Sequence, residues 1–491
     1  MAQNSNDKTN NNRMNKNLET NIETFKEILK DCKDIVYRKI EIGKDIKLNA
    51  AIIYLDGMID RNLVNEYVLT HLMLTCRMTE PNPKNRKGQF VEQIKKNVLA
   101  VSDMKEVETI DDGILNILSG ETVLLLDDYE KIIIIGSRGW PMRSVSEPIT
   151  ESVIRGPRDG FTETLRVNTA LIRRRIRDSQ LKVHAMQVGR RSRTDVAILY
   201  IEDIADSGLV EEVKKRLEEI DVEAVIDSGF LEQLIEDNWI SIFPQIQNTE
   251  RADVASAALY EGKTVIVVDN SPFVLIAPST FNAMMQSAED YHERWMIATV
   301  VRILRYFAAF LSLLFPALYV AITSFHPQML PTSLVITLSA NRSGVPFPAI
   351  IEALLMEVTI ELLREAGVRL PGPIGATIGI VGGLVIGQAA VEAGLVAPLM
   401  VIVVAVTAIA SFSIPSYNIA IAFRMLRFIF IVSAGFLGLY GIMLILTAVL
   451  VHLCSLKSFN TPFLSPFVTV AENTSALKDT IVRAPTKFMK R

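Results

Sequence analysis

The sequence predicts an α/β soluble domain built from two related α/β subdomains, followed by an all-α multi-span membrane domain. Two observations carry this expectation. First, no Asp, Glu, Lys or Arg occurs from Tyr306 to Asn341, Leu370 to Val391, Ala393 to Phe423 or Phe428 to Leu456. Each interval holds the roughly 18–20 mostly apolar residues that a hydrocarbon core about 30 Å thick requires. Second, the chain ahead of Met296 is charged, patterned like a water-facing globular protein, and repeats itself.

In chain order, residues 1–19 are rich in Asn and Lys and contain no apolar h-region, so they read as a disordered tail rather than a signal peptide. The region that follows is therefore expected in the cytosol. Residues 20–142 form the first subdomain. Within it AIIYLDGMIDRNLVNEY (51–67) predicts a strand, an acidic turn and a helix. A helix near Asp111–Leu118, a strand in GETVLLLD (120–127) and another at Ile132–Ile135 complete it. Residues 179–295 repeat the order with AILYIEDIADSGLVEEV (197–213), a helix near Ala252–Tyr260, GKTVIVVD (262–269) and a strand at Phe273–Ala277. Strands alternating with helices indicate α/β units. Asp127 and Asp269 end corresponding strands and read as turn formers.

Between the copies, residues 143–178 form a linker with a basic helix. Leu165, Thr169, Ile172 and Ile176 make an apolar stripe at helical spacing. Arg155, Arg158, Arg166, Arg173, Arg174 and Arg175 make the segment basic. Two readings stand: a helix packed on a subdomain, or a contact for a partner subunit or anionic lipid.

The membrane domain covers 296–456, with spans expected at about 303–325, 372–391, 395–414 and 428–453. Residues 349–366 are helical in pattern but carry Glu352, Glu357, Glu361, Arg364 and Glu365, and charge at the centre of a lipid-facing span is costly. This helix reads as interfacial and amphipathic, or as re-entrant with its carboxylates at an ion entrance. Gly375, Gly379, Gly383 and Gly387 recur every four residues, a register that lets helices approach closely or lines a central pathway, and Gln388 and Glu392 follow them. Charge placement is self-conflicting. If 428–453 is one crossing, Arg424 and Arg427 lie on the opposite side from the basic tail, residues 457–491, and the positive-inside rule cannot satisfy both. Four crossings, with both ends inside, are the preferred count.

The net charge of −4 argues against a nucleic-acid binder. Cys32, Cys76 and Cys454 are too far apart in sequence to suggest a ligand set or disulfide framework. Phosphate-loop, dinucleotide, zinc-protease and paired-cysteine motifs are lacking, so neither an enzyme nor a cofactor or metal is expected.

The segments SVSEPITESVIRGPRDGFTETLRVNTALIRRRI (144–176), EDYHERW (289–295), HPQMLPTSL (326–334), RSGVPFPAIIEALLMEVTIELLREAG (342–367) and LPGPIGATIGIVGGLVIGQAAVEAGLVAPLMVIVVA (370–405) resemble the A subunit of spore germinant receptors, the GerA family. The resemblance runs from about residue 20 to the C-terminus. It departs at His292, where the family's usual spelling has a second aromatic residue. It implies a multi-pass protein of the inner spore membrane with its large domain on the core side. The implied partners are a B subunit resembling amino-acid transporters, a C-subunit lipoprotein and further copies of the same chain. The implied role is an oligomer forming a nutrient-gated ion path that initiates germination. The alternative is a non-conducting transducer or scaffold.

Overall fold

The computed structural model describes residues 13–43, 47–75, 104–139, 147–148, 150–369, 383, 385–468, 479–485 and 487. They form two compact units. The first comprises Met1–Val153, Pro157–Glu236 and Ile246–Pro278, and the second Ile154–Gly156, Asp237–Gln245 and Ser279–Arg491.

The first unit runs α1 (Leu18–Ile28), β1 (Ile35–Ile42), β2 (Leu48–Leu55), β3 (Met104–Val107), α2 (Ile110–Leu118), β4 (Thr122–Leu126) and β5 (Ile132–Ile135). It then continues α3 (Leu165–Arg175), β6 (Leu181–Val188), β7 (Thr194–Ile201), α4 (Ser207–Glu218), α5 (Ser228–Ile235), β8 (Gln247–Thr249), α6 (Ala252–Tyr260), β9 (Thr264–Val268) and β10 (Val274–Ala277). Two five-stranded sheets result, ordered β1-β2-β4-β5-β3 and β6-β7-β9-β10-β8. Every neighbouring pair is antiparallel, and in each sheet the third strand in sequence lies at the far edge. The topology therefore repeats.

Central strands form where the chain is uniformly apolar. All residues of β4 and β9 are buried, because both faces of each sheet are covered. In β4, Val123 and Leu125 enter one core while Leu124 and Leu126 enter the other, the two-residue period of a strand.

The duplication extends to α1 and α3. The backbone N–H of Leu18, first residue of α1, donates to Asp127 Oδ1 at 3.4 Å, and that of Leu165, first of α3, donates to Asp269 Oδ1 at 2.9 Å. Asn21 exchanges two hydrogen bonds with the backbone of Asn15 at 2.9 and 2.6 Å, and Asn168 does the same with Thr162 at 2.7 and 2.6 Å. The residue after each capping aspartate, Asp128 or Asn270, has φ near 65° and donates its N–H to Lys16 or Glu163. The left-handed region suits Asp and Asn. Thus α3, which the sequence places in the linker, is also the opening helix of the second copy. Its Leu171, Ile172 and Ile176 enter the core of the second sheet, and Ala170 that of the first.

The second unit contains α7 (Trp295–Phe325), α8 (Thr332–Arg342), α9 (Ala349–Arg369), α10 (Pro398–Ser411) and α11 (Tyr417–Ser455). Among the described residues α7 and the 39-residue run α11, taken whole, are long and apolar enough to cross a membrane by length and composition, and α10 is apolar but shorter. The expected span 372–391 lies mostly outside the described residues.

Helix α11 is broken at Gly438, where φ is 60° and ψ −141°. The ring of Phe243 lies 6.4 Å from that of Phe423 and 6.1 Å from that of His452, whereas unbroken helix would hold those two residues about 40 Å apart. The run is therefore a hairpin of two arms, 417–437 and 439–455, which return to one end of the bundle. Its neighbours follow. Helix α7 runs parallel to the first arm, with Ser312 at Arg427 and Phe325 at Gly438. Helix α9 runs antiparallel to it, with Ile350 at Gly435, Glu357 at Arg427 and Glu361 at Arg424. Helix α10 runs alongside α9 in the same direction, with Ala397 at Glu352 and Phe412 at Arg364. The chains entering and leaving the bundle meet where Phe281 and Phe463 lie 6.3 Å apart.

Candidate functional site: a charged seam in the helical unit

Helix α9 carries Glu352, Glu357 and Glu361, and each of these three meets an arginine. Glu352 is fully buried. Arg342 donates to its Oε1 at 3.0 Å, and the N–H of Ala397, just ahead of α10, to its Oε2 at 2.9 Å. A carboxylate there also complements the helix dipole of α10.

Glu357 accepts from Arg427 at 2.8 Å, and each side chain is only 1% exposed. Arg427 Nε also donates to the Ser312 carbonyl at 2.7 Å. That carbonyl lies four residues before Pro316, which lacks the N–H that would otherwise satisfy it. Glu357 Oε1 and Arg427 Nη2 have no partner among the described residues. Buried polar atoms in this condition are rare in folded proteins and costly to keep.

Glu361 is partly exposed and accepts from Arg364 at 2.6 Å and from Arg424 at 3.1 Å. Those two guanidiniums lie over the rings of Phe412 and Tyr417, each at 5.8 Å. A cavity of about 340 Å³ opens beside Arg342, with Thr323, Val335, Leu338 and Ser339 in its wall. The seam therefore runs from a buried carboxylate in the first turn of α9 to a partly exposed one just past the helix midpoint.

Gly375 and Gly379 lie outside the described residues. A Cβ at Gly387 would meet Val401 at 3.2 Å, and one at Gly383 would meet nothing within 4 Å. Gln388 and Glu392 are exposed and hydrogen-bonded to each other at 2.9 Å.

The linker arginines divide. Arg173 is fully buried and grips Asp34 with two hydrogen bonds of 2.8 and 3.1 Å. Arg175 holds Asp159 at 2.6 Å, Arg166 reaches Asp56 at 3.1 Å and Arg158 reaches Glu147 at 3.1 Å. Arg155 and Arg174 are exposed.

One cluster escaped the sequence reading. Arg302 and Arg305, just ahead of the charge-free interval that opens at Tyr306, are buried and share Asp290, each at 2.9 Å. Arg302 also binds Asp479 at 2.6 Å. Asp290 sits in the EDYHERW segment, and its acidity beside two arginines one helical turn apart was the available signal. Among the described residues, no cluster of three His, Cys, Asp or Glu is placed to hold a metal.

Comparison with known proteins gives consistent matches. The family model described as Bacillus/Clostridium GerA spore germination protein matches residues 23–491. Spore germination protein A1 of Bacillus subtilis (strain 168) is 44% identical over 474 residues, covering 94% of this chain and 95% of that protein. Spore germination protein KA of the same organism is 43% identical over 463 residues, covering 94% and 83%. A solved structure, the N-terminal domain of the A subunit of the Bacillus megaterium spore germinant receptor GerK3, is 32% identical. It covers 55% of this chain and 97% of that chain, with a TM-score of 0.43.

Proposed function

This chain belongs to the GerA family of spore germination proteins, and on that premise we propose that it is the membrane-embedded A subunit of a germinant receptor whose oligomer forms a nutrient-gated ion path. It acts in the inner spore membrane beside a B subunit resembling amino-acid transporters and a C-subunit lipoprotein. The observation that carries the reading is the Glu357–Arg427 pair, buried among apolar helices with one carboxylate oxygen and one guanidinium nitrogen unpartnered. Ionisable groups inside a membrane bundle are costly and usually belong to ion paths or to switching elements. The pair closes the path in this state, and opening separates it.

The α11 hairpin supports a multi-pass arrangement with both flanks on one side. With the chain folded back at Gly438, Arg424 and Lys457 lie toward the same end of the hairpin while Arg427 stays inside the bundle, which removes the charge conflict of a single crossing. The same ion pairs favour a second reading. Because Glu352, Glu357 and Glu361 all have arginine partners, the bundle also suits a non-conducting transducer.

Cation flux from vesicles holding the protein with its candidate partner subunits separates the two. Flux triggered by a nutrient supports conduction. An assembled, nutrient-binding complex that stays silent leaves the transducer.

A further inference from the structure

The loop 237–245 belongs to the helical unit and has an unusual distribution of burial. Trp239 is 81% exposed and Ile240 72%, and Ile242 is also exposed, yet the loop is firmly tied. Asn238 and Gln245 exchange hydrogen bonds of 2.9 and 2.8 Å that close its neck. Gln245 is fully buried, and its carbonyl accepts from Ser458 at 2.6 Å. Asp237 accepts the N–H of Phe459 at 2.6 Å. Ser241 bonds His452 at 2.9 Å, and Phe243 is buried among Phe423, His452 and Phe463. A loop fixed this well holds its apolar tip outward by construction, and such a tip needs something to cover it.

What covers it follows from the level at which it sits. His452 lies in the last turns of the second arm of α11, five residues before Lys457, the first charge after the stretch from Phe428 to Leu456. That distance is only about 7 Å of helix rise. Phe423, on the other side of Phe243, adjoins Arg424. Arg424 lies over the ring of Tyr417, and its partner Glu361 also binds Arg364, which lies over Phe412. Tyr417 and Phe412 are themselves 63% and 76% exposed. Exposed aromatic rings mixed with arginines, at the ends of apolar helices, make the girdle found where hydrocarbon gives way to headgroups. An indole with an apolar body and a single N–H donor suits that boundary.

We infer that residues 239–242 form an interfacial anchor in which Trp239 and Ile240 enter the headgroup–acyl boundary of the bilayer at the hairpin's open end. The inference rests on the membrane-embedded reading of the helical unit. Insertion buries the exposed apolar tip, and the ties to His452, Ser458 and Phe459 transmit its position to the end of α11.

The test uses the full chain in phospholipid vesicles. The sequence has three tryptophans, Trp140, Trp239 and Trp295, so W140F/W295F isolates Trp239. A second variant, W140F/W239F/W295F/L444W, places a lone indole in the second arm, six residues past the break at Gly438. Lipids carrying a quencher high or low on the acyl chain, and aqueous iodide, then read the depth of each. The anchor predicts that Trp239 loses most fluorescence to the shallow quencher, resists iodide and emits at shorter wavelength than free indole. The Leu444→Trp indole loses most to the deep quencher. Trp239 quenched by iodide but by neither lipid, with the indole at 444 still deep, overturns the anchor and leaves the membrane reading standing. Trp239 shielded from all three overturns it in favour of a protein cover. No lipid quenching at 444 overturns both.

Discussion

Arg427 completes the helix that Pro316 interrupts. Its Nε donates at 2.7 Å to the Ser312 carbonyl, which proline leaves without an intrahelical donor, while its Nη1 binds Glu357. One side chain thus serves α7, α9 and the first arm of α11. Removing it by Arg427→Met leaves both a buried carboxylate and a buried carbonyl unpaired, at a cost of about 3–5 kcal/mol. Thermal unfolding of the detergent-solubilised protein should fall steeply for Arg427→Met and recover in part when Glu357→Gln is added. No recovery in the double variant would detach Glu357 from the effect.

Gly438 makes the hairpin. At φ 60° any other residue is disfavoured, and a Cβ there would sit 2.9 Å from His326 Cε1 and 3.1 Å from Phe325 Cβ. With ψ at −141° the backbone also lies outside the left-handed helical well, a strain of about 1–3 kcal/mol for a residue with a side chain. Gly438→Ala is expected to lower thermal stability by at least that much and to speed hydrogen exchange in the second arm of α11. Unchanged stability and unchanged exchange would argue for a different turn.

Arg173 and Arg174 are adjacent in sequence but differ in role. Reversing charge at Arg173 strands Asp34 and should destabilise the first unit by about 3–5 kcal/mol, seen as faster hydrogen exchange in β1 and α3. Arg174 is exposed, where solvent screens its charge, so reversal there costs far less. Arg174→Glu is therefore the cleaner probe of the subunit contact: lower recovery of partner subunits with normal exchange supports that contact, and normal recovery leaves α3 a framework helix.

Glu232 should give the first unit a pH dependence. Burial, with the charge of Glu236 adding to it, pushes its carboxyl up to about 8. A folded-state value raised above the unfolded one means that the native state holds the extra proton, so stability is fullest below about 4.5 and is lost as pH rises to about 8. Opening free energies of α5 from hydrogen exchange, corrected for intrinsic rates, should decline across that window and flatten in Glu232→Gln. An unchanged slope in the variant would assign the dependence elsewhere.

What sequence could and could not reveal follows from the residues involved. Uniformly apolar β4 and β9 advertise themselves, as do the acidic turns after β2 and β7. Edge strands β1 and β6 do not, because half-exposed sequences such as IVYRKIEI and LKVHAMQV mix charge into the pattern. The correspondence of α1 with α3 rests on Asn21 and Asn168, two buried side chains whose shared role shows only when their partners at Asn15 and Thr162 are seen. Carboxylates on α9 were visible, but their arginine partners come from residues up to 70 positions away. The break at Gly438 was masked by the apolar run around it, since one glycine in a long apolar stretch is compatible with an unbroken span.

The most direct test of the gating claim is unstimulated cation flux through vesicle-reconstituted receptor containing Glu357→Gln, beside the unaltered protein. If the Glu357–Arg427 pair holds the path shut, neutralising the carboxylate raises flux in the absence of nutrient and changes which cations pass. An intact, fully assembled variant with the same resting flux, the same nutrient response and the same permeability ratios would contradict the account.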